Sequence, residues 1–576
     1  MIKQFAPCVK KYWWAALLSP VTVIIEVLLE VRIPMLMSQI VDTGITNQDL
    51  RYVVNTGIQM VLFALCSLAA GALSAWFASI AGMGLGAGLR EGMFGRVQDF
   101  AFSNVDRFST ASLVTRLTTD VNRVQMTFVM LIRVCVRAPV MLVSATVLAW
   151  KLNGELVTIF LIAIPVLGGL LALIATRAFP RFQVMLEKFD GLNARVQETL
   201  MAIRVVKAFV RSKFEKEKFE VTNDDLKRAS IMAEKILVWN GPLMTLAMYA
   251  CIVAIVWFGG RLIAFGSMET GQLMSFISYV TQILMSLMMI TNTFVMIVMS
   301  KASANRICEV LREEPDISDA QADPALVVPD GSIEMRHVSF RYHQEAEKPV
   351  LSDINLSIRS GETIGIIGGT GSAKSTLVQM IPRLYEAQEG EVLVGGHNVK
   401  DYPLDHLRGA VAMVLQKNVL FSGTIRENLL WGNPAATDEG MIEACKAAQA
   451  HEFVMSFPDG YETNLGQGGV NVSGGQKQRL CIARALLKDP KILILDDSTS
   501  AVDTATDSKI RESLRSHRSD TTTLIIAQRV TSVCEADRII VLDDGKINDV
   551  GTHDELLARN QIYQEVYYSQ QEGVTS

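Results

Sequence analysis

Six long apolar stretches occupy the first half of the chain, and a different pattern follows them. They lie near residues 14–40, 56–82, 128–150, 154–176, 237–263 and 271–299. Each one reaches or exceeds the about 20 apolar residues that a helix needs to cross a bilayer. Half of the 576 residues are hydrophobic, and the excess lies in this region. The pattern predicts a membrane domain of six spanning helices and excludes a soluble protein.

The basic residues predict which side of the membrane each loop faces. Arg and Lys are abundant between the second and third stretches and between the fourth and fifth, and Lys3, Lys10 and Lys11 precede the first stretch. The other loops, near 43–54, 151–154 and 264–270, hold few cations. Because cytoplasmic loops carry the excess of positive charge, we expect a multi-pass protein of the cytoplasmic membrane with both termini in the cytoplasm.

A second, α/β domain is predicted after the membrane domain. Residues 314–330, EPDISDAQADPALVVPD, are rich in Asp, Ala and Pro and read as a linker. From residue 331 to 576, strand-like runs alternate with glycine turns and helical patterns, which is typical of an α/β fold. We therefore expect a multi-domain chain, with an all-α membrane domain over residues 1–313 and an α/β domain over residues 331–576.

The stretch ETIGIIGGTGSAKSTLVQMI predicts a phosphate-binding loop between a strand over 363–367 and a helix that starts near Lys374. In this arrangement backbone N–H groups surround the phosphates, the lysine reaches the β- and γ-phosphates, and the Ser375 hydroxyl ligates magnesium. The predicted loop residues are Gly368, Gly369, Thr370, Gly371, Ser372, Ala373, Lys374, Ser375 and Thr376. Ala373 stands where glycine is usual, and alanine would cost about 1 kcal/mol if the position requires a positive φ.

The run Ser473, Gly474, Gly475, Gln476, within NVSGGQKQRLCIARAL, resembles the signature loop of ATP-binding-cassette (ABC) proteins. With six preceding spans, the chain resembles a half-transporter of the exporter type over nearly its whole length. It resembles most the degenerate-site subunit of heterodimeric bacterial multidrug exporters. The resemblance implies a P-loop ATPase cassette with a helical subdomain, ATP and Mg²⁺ as cofactors, and a dimer. In that dimer each ATP lies between the phosphate loop of one cassette and the signature loop of the other.

The resemblance also assigns roles to single residues. Tyr342 matches the aromatic residue that stacks on adenine, and Gln416 matches a glutamine that touches magnesium and faces the membrane domain. Ser500 to Asp503 match the loop that crosses to the partner cassette, and Gln467 replaces a glutamate that often contacts the membrane helices. The implied metal ligands are Ser375, Gln416 and Asp496.

Two catalytic positions depart from the family pattern. The strand-like run KILILDDSTS places Asp497 directly after Asp496, where the family has the glutamate that positions the attacking water. In LIIAQRV, Gln528 replaces the histidine that senses the terminal phosphate. A carboxylate withdrawn by one methylene is misplaced by more than about 1 Å, which can reduce the rate about 100-fold. We therefore expect this chain's own site to bind ATP and hydrolyse it poorly; the alternative is an ordinary cassette in which Asp497 is a working base.

The intact signature loop leads to a prediction about the partner. A signature loop acts on the ATP held by the other cassette. This chain can therefore complete a hydrolytically active ATP site on the cassette of a partner. We predict a heterodimer with a second ABC half-transporter that carries the glutamate and the histidine. Short segments around 105–110 and 201–211 resemble the coupling helices of the family.

Charged pairs within the spans are candidates for a cargo-binding cavity. Glu26 and Glu30 lie four residues apart in the first stretch, as do Arg133 and Arg137 in the third, so each pair shares a helical face. By helix rise both pairs lie at similar depth, roughly 20 to 27 Å from the outer ends, and can meet as ion pairs. Intramembrane charges face a cavity or one another, so both a cavity wall and a structural ion pair remain open. The last two spans are rich in methionine: Met244, Met248, Met274, Met285, Met288, Met289, Met296 and Met299. Flexible methionine side chains suit a surface that binds molecules of many shapes, and packing against lipid is the alternative explanation.

The sequence-based hypothesis is ATP-driven export of drugs or other amphipathic small molecules. A lipid or peptide exporter is an alternative within transport, and a regulatory, non-transporting ATP-binding subunit is an alternative from another class. The eight cysteines form no CxxC pair or metal-ligand spacing, which argues against structural zinc. A net charge of −5 and the absence of a basic patch give no indication of nucleic-acid binding.

Overall fold

The computed structural model describes residues 2–320, 322–342, 348–498, 502–517 and 520–575. The chain forms two compact units. The first comprises residues 1–98 and 108–313, and the second comprises residues 99–107 and 314–576. Residues 99–107 lie between the second and third predicted spans, yet they group with the C-terminal half of the chain. Part of this segment, residues 105–107, belongs to the stretch that resembles a coupling helix.

Helices make up the N-terminal half of the chain. They are α1 (Ile2–Lys10), α2 (Trp13–Glu30), α3 (Ile33–Gln39), α4 (Leu50–Asp99), α5 (Phe102–Phe108), α6 (Thr110–Thr115), α7 (Val121–Leu152), α8 (Gly154–Met201), α9 (Ile203–Ala208), α10 (Ser212–Leu237), α11 (Asn240–Ala264) and α12 (Thr270–Arg312). Two π-helical segments, Ile40–Ile45 and Arg116–Asp120, join α3 to the following turn and α6 to α7.

Six helical segments in the described residues are long and apolar enough to cross a membrane. They are Trp13–Ile45, Leu50–Asp99, Thr110–Leu152, Gly154–Met201, Ser212–Ala264 and Thr270–Arg312. Each contains one of the predicted apolar stretches, so the prediction of six spans is confirmed. The helices are longer than the stretches; α4, for example, has 50 residues. Hydropathy detects only the apolar part of such a helix, whereas the backbone continues in helical conformation through its polar ends.

The first unit is held together by a buried apolar cluster and by polar contacts between helices. Val23, Val27, Ala145, Phe160 and Phe276 belong to the cluster and are at most 2% exposed. Small residues allow close packing of α2 against α4: a Cβ on Gly71 would lie 2.8 Å from Glu26 Oε1. Such contacts between small residues are typical of membrane helices, where the hydrophobic effect adds little to association.

The described residues of the second unit form three β-sheets. The strands are β1 (Ile333–Phe340), β2 (Leu351–Ile358), β3 (Thr363–Gly368), β4 (Glu389–Val394), β5 (His397–Asn398), β6 (Val411–Val414), β7 (Gly423–Thr424), β8 (Asn464–Leu465), β9 (Ile492–Asp496), β10 (Thr522–Ile526), β11 (Arg538–Asp543) and β12 (Lys546–Gly551). The six-stranded sheet has the order β12-β11-β3-β10-β9-β6, and all its neighbouring pairs are parallel except β11 with β12. A four-stranded antiparallel sheet has the order β2-β1-β4-β5, and β7 pairs with β8.

Helices of the second unit surround the six-stranded sheet and form a helical region between β6 and β9. They are α13 (Lys374–Gln379), α14 (Leu404–Ala410), α15 (Ile425–Leu430), α16 (Asp438–Ala447), α17 (His451–Met455), α18 (Gly474–Leu487), α19 (Thr504–His517), α20 (His553–Arg559) and α21 (Gln561–Thr575). Every residue of β9 and β10 is buried, as continuous apolar runs in a parallel sheet require. An all-α membrane unit followed by an α/β unit confirms the predicted fold class.

Candidate functional site

The predicted site residues converge at the carboxyl ends of three neighbouring strands. In the sheet, Ile526 of β10 is paired with Ile366 of β3 on one side and with Asp496 of β9 on the other. The phosphate loop follows β3, Asp496 ends β9 and Asp497 follows it, and Gln528 follows β10. Open α/β sheets bind ligands at this edge, so the topology itself brings the three motifs together.

The loop after β3 is folded around the Lys374 side chain. The ammonium Nζ donates to the carbonyl oxygens of Gly368 at 2.9 Å and Gly369 at 2.8 Å. Ala373 has φ +70° and ψ 23°, so the position does adopt the left-handed conformation in which alanine is strained by about 1 kcal/mol. Gly369, Thr370 and Gly371 are exposed at the tip of the loop. The backbone around the lysine is therefore open to a phosphate group.

Ser375 and Asp496 form a pair of oxygen ligands suited to magnesium. The Ser375 hydroxyl donates to Asp496 Oδ1 at 2.9 Å, and Asp496 is 2% exposed. Magnesium prefers one or two carboxylates with the remaining ligands from substrate phosphates and water, and this donor set fits it. In the described residues no cluster of three or more His, Cys, Asp and Glu side chains could hold a metal alone. A metal at this site would thus depend on the phosphates of the nucleotide.

Asp497, the substitute for the usual glutamate, is held by two amide side chains. Gln528 Nε2 donates to Asp497 Oδ2 at 2.7 Å, and Gln416 Nε2 lies 3.4 Å from the same oxygen. Asp497 is 9% exposed and has φ +48°. The two altered positions are thus in direct contact with each other. They lie 31 residues apart in the sequence, and no sequence pattern indicates that the Gln528 amide would form a hydrogen bond with the Asp497 carboxylate.

Burial controls the protonation of these groups. It raises the pKa of Asp496, and the neighbouring carboxylate of Asp497 raises it further, while the bond from Ser375 opposes the shift. Burial also raises the pKa of Asp497, and the bonds from Gln416 and Gln528 counteract it. The pKa of Lys374 is lowered by burial and raised again by the two aspartates. The site therefore combines one buried cation with two adjacent carboxylates.

Tyr342 lies beside the phosphate-loop helix. Its hydroxyl is 2.8 Å from Thr376 Oγ1, and its side chain remains 43% exposed. A ring that is tethered at its hydroxyl and open on one side can stack on a nucleobase. Tyr342 also packs edge-on against Tyr385, at 5.2 Å between ring centroids. No sequence motif marks Tyr385, which follows α13.

The signature loop begins α18 with a capping box. Gln476 N donates to Ser473 Oγ at 3.3 Å, and Ser473 N donates to Gln476 Oε1 at 2.9 Å. Ser473 and Gly474 are exposed, so the N-terminus of a 14-residue helix faces solvent, where it favours anions. Asp503 accepts a bond from Thr506 N at 3.0 Å ahead of α19. Val502 of the predicted crossing loop is buried, and Ser500 and Ala501 lie outside the described residues.

Within the first unit the predicted intramembrane ion pairs form only in part. Arg137 bonds to Glu26 and, through Nη2 at 2.6 Å, to Glu30 Oε2. The side chains of Arg137, Glu26 and Glu30 are 24%, 12% and 33% exposed. Arg133 forms no ion pair among the described residues, contrary to the expectation that both arginines meet the glutamates. One guanidinium spans two carboxylates four residues apart, and Glu26 Oε2 is buried without a hydrogen-bond partner among the described residues.

The methionines of the last two spans do not form one continuous surface. Met244 is buried in the apolar cluster of the first unit. Met274, Met285, Met289 and Met296 are between 40% and 51% exposed. Packing within the first unit therefore explains part of the set, and the exposed members are candidates for contacts with lipid, cargo or a partner.

Comparison with known proteins identifies the family. The family model of the ABC transporter transmembrane region matches residues 16–287, and the family model described as ABC transporter matches residues 351–500. An uncharacterised ABC transporter ATP-binding protein of Bacillus subtilis (strain 168), YfiB, is 39% identical over 97% of both chains.

Other relatives have named activities. A putative multidrug export ATP-binding/permease protein of Staphylococcus aureus (strain NCTC 8325 / PS 47) is 37% identical over 67% of this chain and 66% of its own. An ATP-dependent lipid A-core flippase of Syntrophus aciditrophicus (strain SB) is 33% identical over 85% of this chain and 81% of its own.

A solved structure shares the whole fold. A bacterial Atm1-family ABC exporter with ATP bound superposes with a TM-score of 0.81, at 24% identity and over 98% of each chain. Six apolar spans, a phosphate loop and a signature loop on one chain agree with these matches. The chain is a multi-pass membrane protein and belongs to the ABC transporter family, as an exporter-type half-transporter in which a transmembrane domain and an ATP-binding domain share one polypeptide.

Proposed function

We propose that this chain is one half of a heterodimeric exporter and that its own nucleotide site retains ATP while the partner's site hydrolyses it. In this proposal residues 1–313 are the membrane domain, 314–330 the linker and 331–576 the cassette, with both termini in the cytoplasm. Lys374, Ser375 and the phosphate loop hold the nucleotide, and Asp496 and Gln416 complete the magnesium site.

The observation that carries the proposal is the contact between Gln528 and Asp497. A general base must be free to take a proton from water, and its geometry matters at the level of about 1 Å. Here Oδ2 of Asp497 accepts a 2.7 Å bond from Gln528 and faces Gln416 at 3.4 Å. The neutral amide of Gln528 cannot supply the positive charge that a histidine brings to the developing phosphate charge. Both changes act against hydrolysis and leave the phosphate loop intact.

The exposed signature loop supports the second half of the proposal. Ser473 and Gly474 face solvent in the described structure, with their helix N-terminus unobstructed. The helix α9, between the fourth and fifth spans, buries none of its residues, and the adjoining Phe209 and Val210 are 73% and 86% exposed. Apolar residues this exposed on a cytoplasmic segment suit contact with a partner.

The roles of the two sites can be separated by substitutions in this chain alone. The chain is reconstituted in nanodiscs with a half-transporter that has the glutamate and the histidine, and steady-state ATP hydrolysis is measured. We expect Gly475→Asp to abolish hydrolysis, because it places a carboxylate where the partner's ATP phosphate must bind. Asp497→Asn, a change of equal size, should leave most of the activity. The opposite pattern, with Asp497→Asn inactive and Gly475→Asp active, would refute the proposal.

For cargo, we propose an amphipathic small molecule. Six spans with exposed methionines offer an apolar and adaptable surface, and two relatives are named for multidrug export and for lipid A-core flipping. The flippase makes a lipid a specific second candidate. A panel of fluorescent amphipathic drugs and labelled lipids, tested in proteoliposomes of the pair, separates the two. ATP hydrolysis that no member of the panel stimulates, together with no transport, would favour a regulatory subunit.

A further inference from the structure

We propose that Tyr385 positions the nucleobase-contacting Tyr342 and connects it to the helix α5 through Asp106. Tyr385 is a positioning residue in this proposal, since it touches Tyr342 and not the nucleotide. The inference rests on the proposed role of Tyr342 in ATP binding. It adds a connection between the base end of the nucleotide and the segment that joins the second and third spans.

Tyr385 is the centre of a cluster of four aromatic rings. Its ring centroid lies 5.2 Å from that of Tyr342, 5.5 Å from Phe340 and 5.9 Å from Phe102. The contacts with Tyr342 and Phe102 are both edge-on, with interplanar angles of 86°, a geometry that aromatic pairs favour. Tyr385 is 9% exposed. The orientation of the Tyr342 ring is thus fixed by edge-on contacts with Tyr385 and with Phe340, whose centroid lies 5.0 Å away, and at its hydroxyl by Thr376.

The polar end of Tyr385 points to α5. Its hydroxyl donates to Asp106 Oδ2 at 2.7 Å. Burial and the carboxylate of Asp106 both raise the pKa of Tyr385, so the hydroxyl keeps its proton and the bond persists at neutral and mildly alkaline pH. A bond between a buried hydroxyl and a carboxylate is of the stronger, charge-assisted kind.

The helix α5 is fixed to the second unit at other points as well. Asn104 is 2% exposed, and its Nδ2 donates to Glu314 O at 3.2 Å, while its Oδ1 accepts from Asp316 N at 3.2 Å. Ser103 Oγ donates to Asp316 Oδ2 at 2.6 Å. These bonds hold α5 in place without contacting the aromatic cluster. The Asp106–Tyr385 bond is a further polar contact, and it joins α5 to the nucleobase end of the site.

The consequence is a coupling that depends on the base. A nucleobase stacked on Tyr342 restricts the ring, and the restriction passes through Tyr385 to Asp106 on α5. Coupling between two sites is reciprocal. The free energy by which base binding stabilises α5 through Asp106 therefore equals the binding free energy of the base that is lost when the Asp106 contact is broken. The triphosphate end, which binds at Lys374 and Ser375, should not sense this change.

The test compares ATP with inorganic triphosphate, which lacks the base. Binding of each is measured at equilibrium to the full-length chain in nanodiscs. We expect Tyr385→Phe and Asp106→Ala each to weaken ATP binding about fivefold and to leave triphosphate binding unchanged. The double variant should be no weaker than either single variant. Asp106→Asn keeps an acceptor oxygen and should restore most of the affinity, and Ser103→Ala, on the same helix, is the matched control without effect.

A second measurement follows α5 directly. Hydrogen exchange of residues 102–107 should slow when ATP binds to the wild type and should not respond in Tyr385→Phe. Equal loss of ATP and triphosphate affinity, or unchanged ATP affinity in both variants, would overturn the proposal. Neither measurement involves hydrolysis or a partner, so the inference can fail while the proposed asymmetric exporter stands, and the reverse is also possible.

Discussion

Replacing the two altered residues together should convert this chain into an active ATPase without a partner. In a dimer of identical chains, each site would contain this chain's phosphate loop and this chain's intact signature loop. The sites of such a dimer therefore differ from competent ones chiefly at Asp497 and Gln528. The variant Asp497→Glu, Gln528→His supplies the longer carboxylate and the imidazole at those positions.

The structure sets the expected magnitude. The added methylene advances the carboxylate by about 1.5 Å, and a misplacement of about 1 Å can reduce the rate about 100-fold. The substitution at 528 also removes the 2.7 Å bond that holds Asp497, a bond to a charged group of the kind worth about 1.5–3 kcal/mol. We expect the double variant to hydrolyse ATP at least about 100-fold faster than wild type. Asp497→Glu alone should gain less, because the amide of Gln528 can still bind the new carboxylate.

The assay is single-turnover hydrolysis of labelled ATP by the purified chain in nanodiscs, so that chemistry is measured separately from product release. The same double variant carrying Asp496→Asn should be inactive, which excludes contaminating ATPases as the source of the signal. If the wild-type chain alone already hydrolyses ATP at on the order of 1 s⁻¹, or if the double variant is no faster, the account of Asp497 and Gln528 is wrong.

Three further predictions concern other parts of the chain. Ala373→Gly removes the strain at φ +70° and should stabilise the cassette by about 1 kcal/mol in thermal unfolding. ATP affinity should change little, because glycine adopts the same left-handed backbone. Arg137→Gln leaves Glu26 and Glu30 without their common cation and should lower the stability of the folded chain by about 3 kcal/mol. The loss is measured as a smaller amount of folded protein in detergent. Arg133→Gln is the matched control and should be tolerated. Because the pKa of Asp496 is raised, its carboxylate takes up a proton at a higher pH than an ordinary aspartate, whose pKa is about 3.9. Magnesium-dependent nucleotide binding should therefore weaken as the pH falls toward that raised pKa. Asp496→Asn should remove this pH dependence of binding.

Sequence patterns predicted the fold because the strongest local signals agree with the tertiary structure. Apolar runs longer than about 20 residues have one stable solution in a bilayer, and the strand, loop and helix around Lys374 are determined by local residues. A positive φ at Ala373 could also be expected, since the glycine that is usual at this position indicates a left-handed backbone. The conformation found at φ +70° confirms it.

Contacts between distant segments could not be predicted in the same way. The sequence showed two glutamates and two arginines at matching depth, but the rotation of α2 and α7 about their axes decides that Arg137 meets both glutamates and Arg133 neither. The grouping of residues 99–107 with the second unit depends on Tyr385 and Asn104, whose partners are more than 200 residues away. The spacing of residues along one helix shows neither the rotation of that helix nor the distant residues that it contacts.

The two proposals together imply that the coupling helices of the dimer do different work. If Asp497 is held by Gln528 and the site retains ATP, the base stays on Tyr342 through many turnovers of the partner's site. The Tyr385–Asp106 contact then keeps α5 of this chain in its nucleotide-bound arrangement, while the corresponding helix of the partner is released at each hydrolysis. Breaking the contact with Tyr385→Phe should therefore change transport by the pair more than it changes ATP hydrolysis, because hydrolysis takes place at the other site. Equal losses of both, measured in the same proteoliposomes, would show that α5 of this chain has no separate role in the cycle.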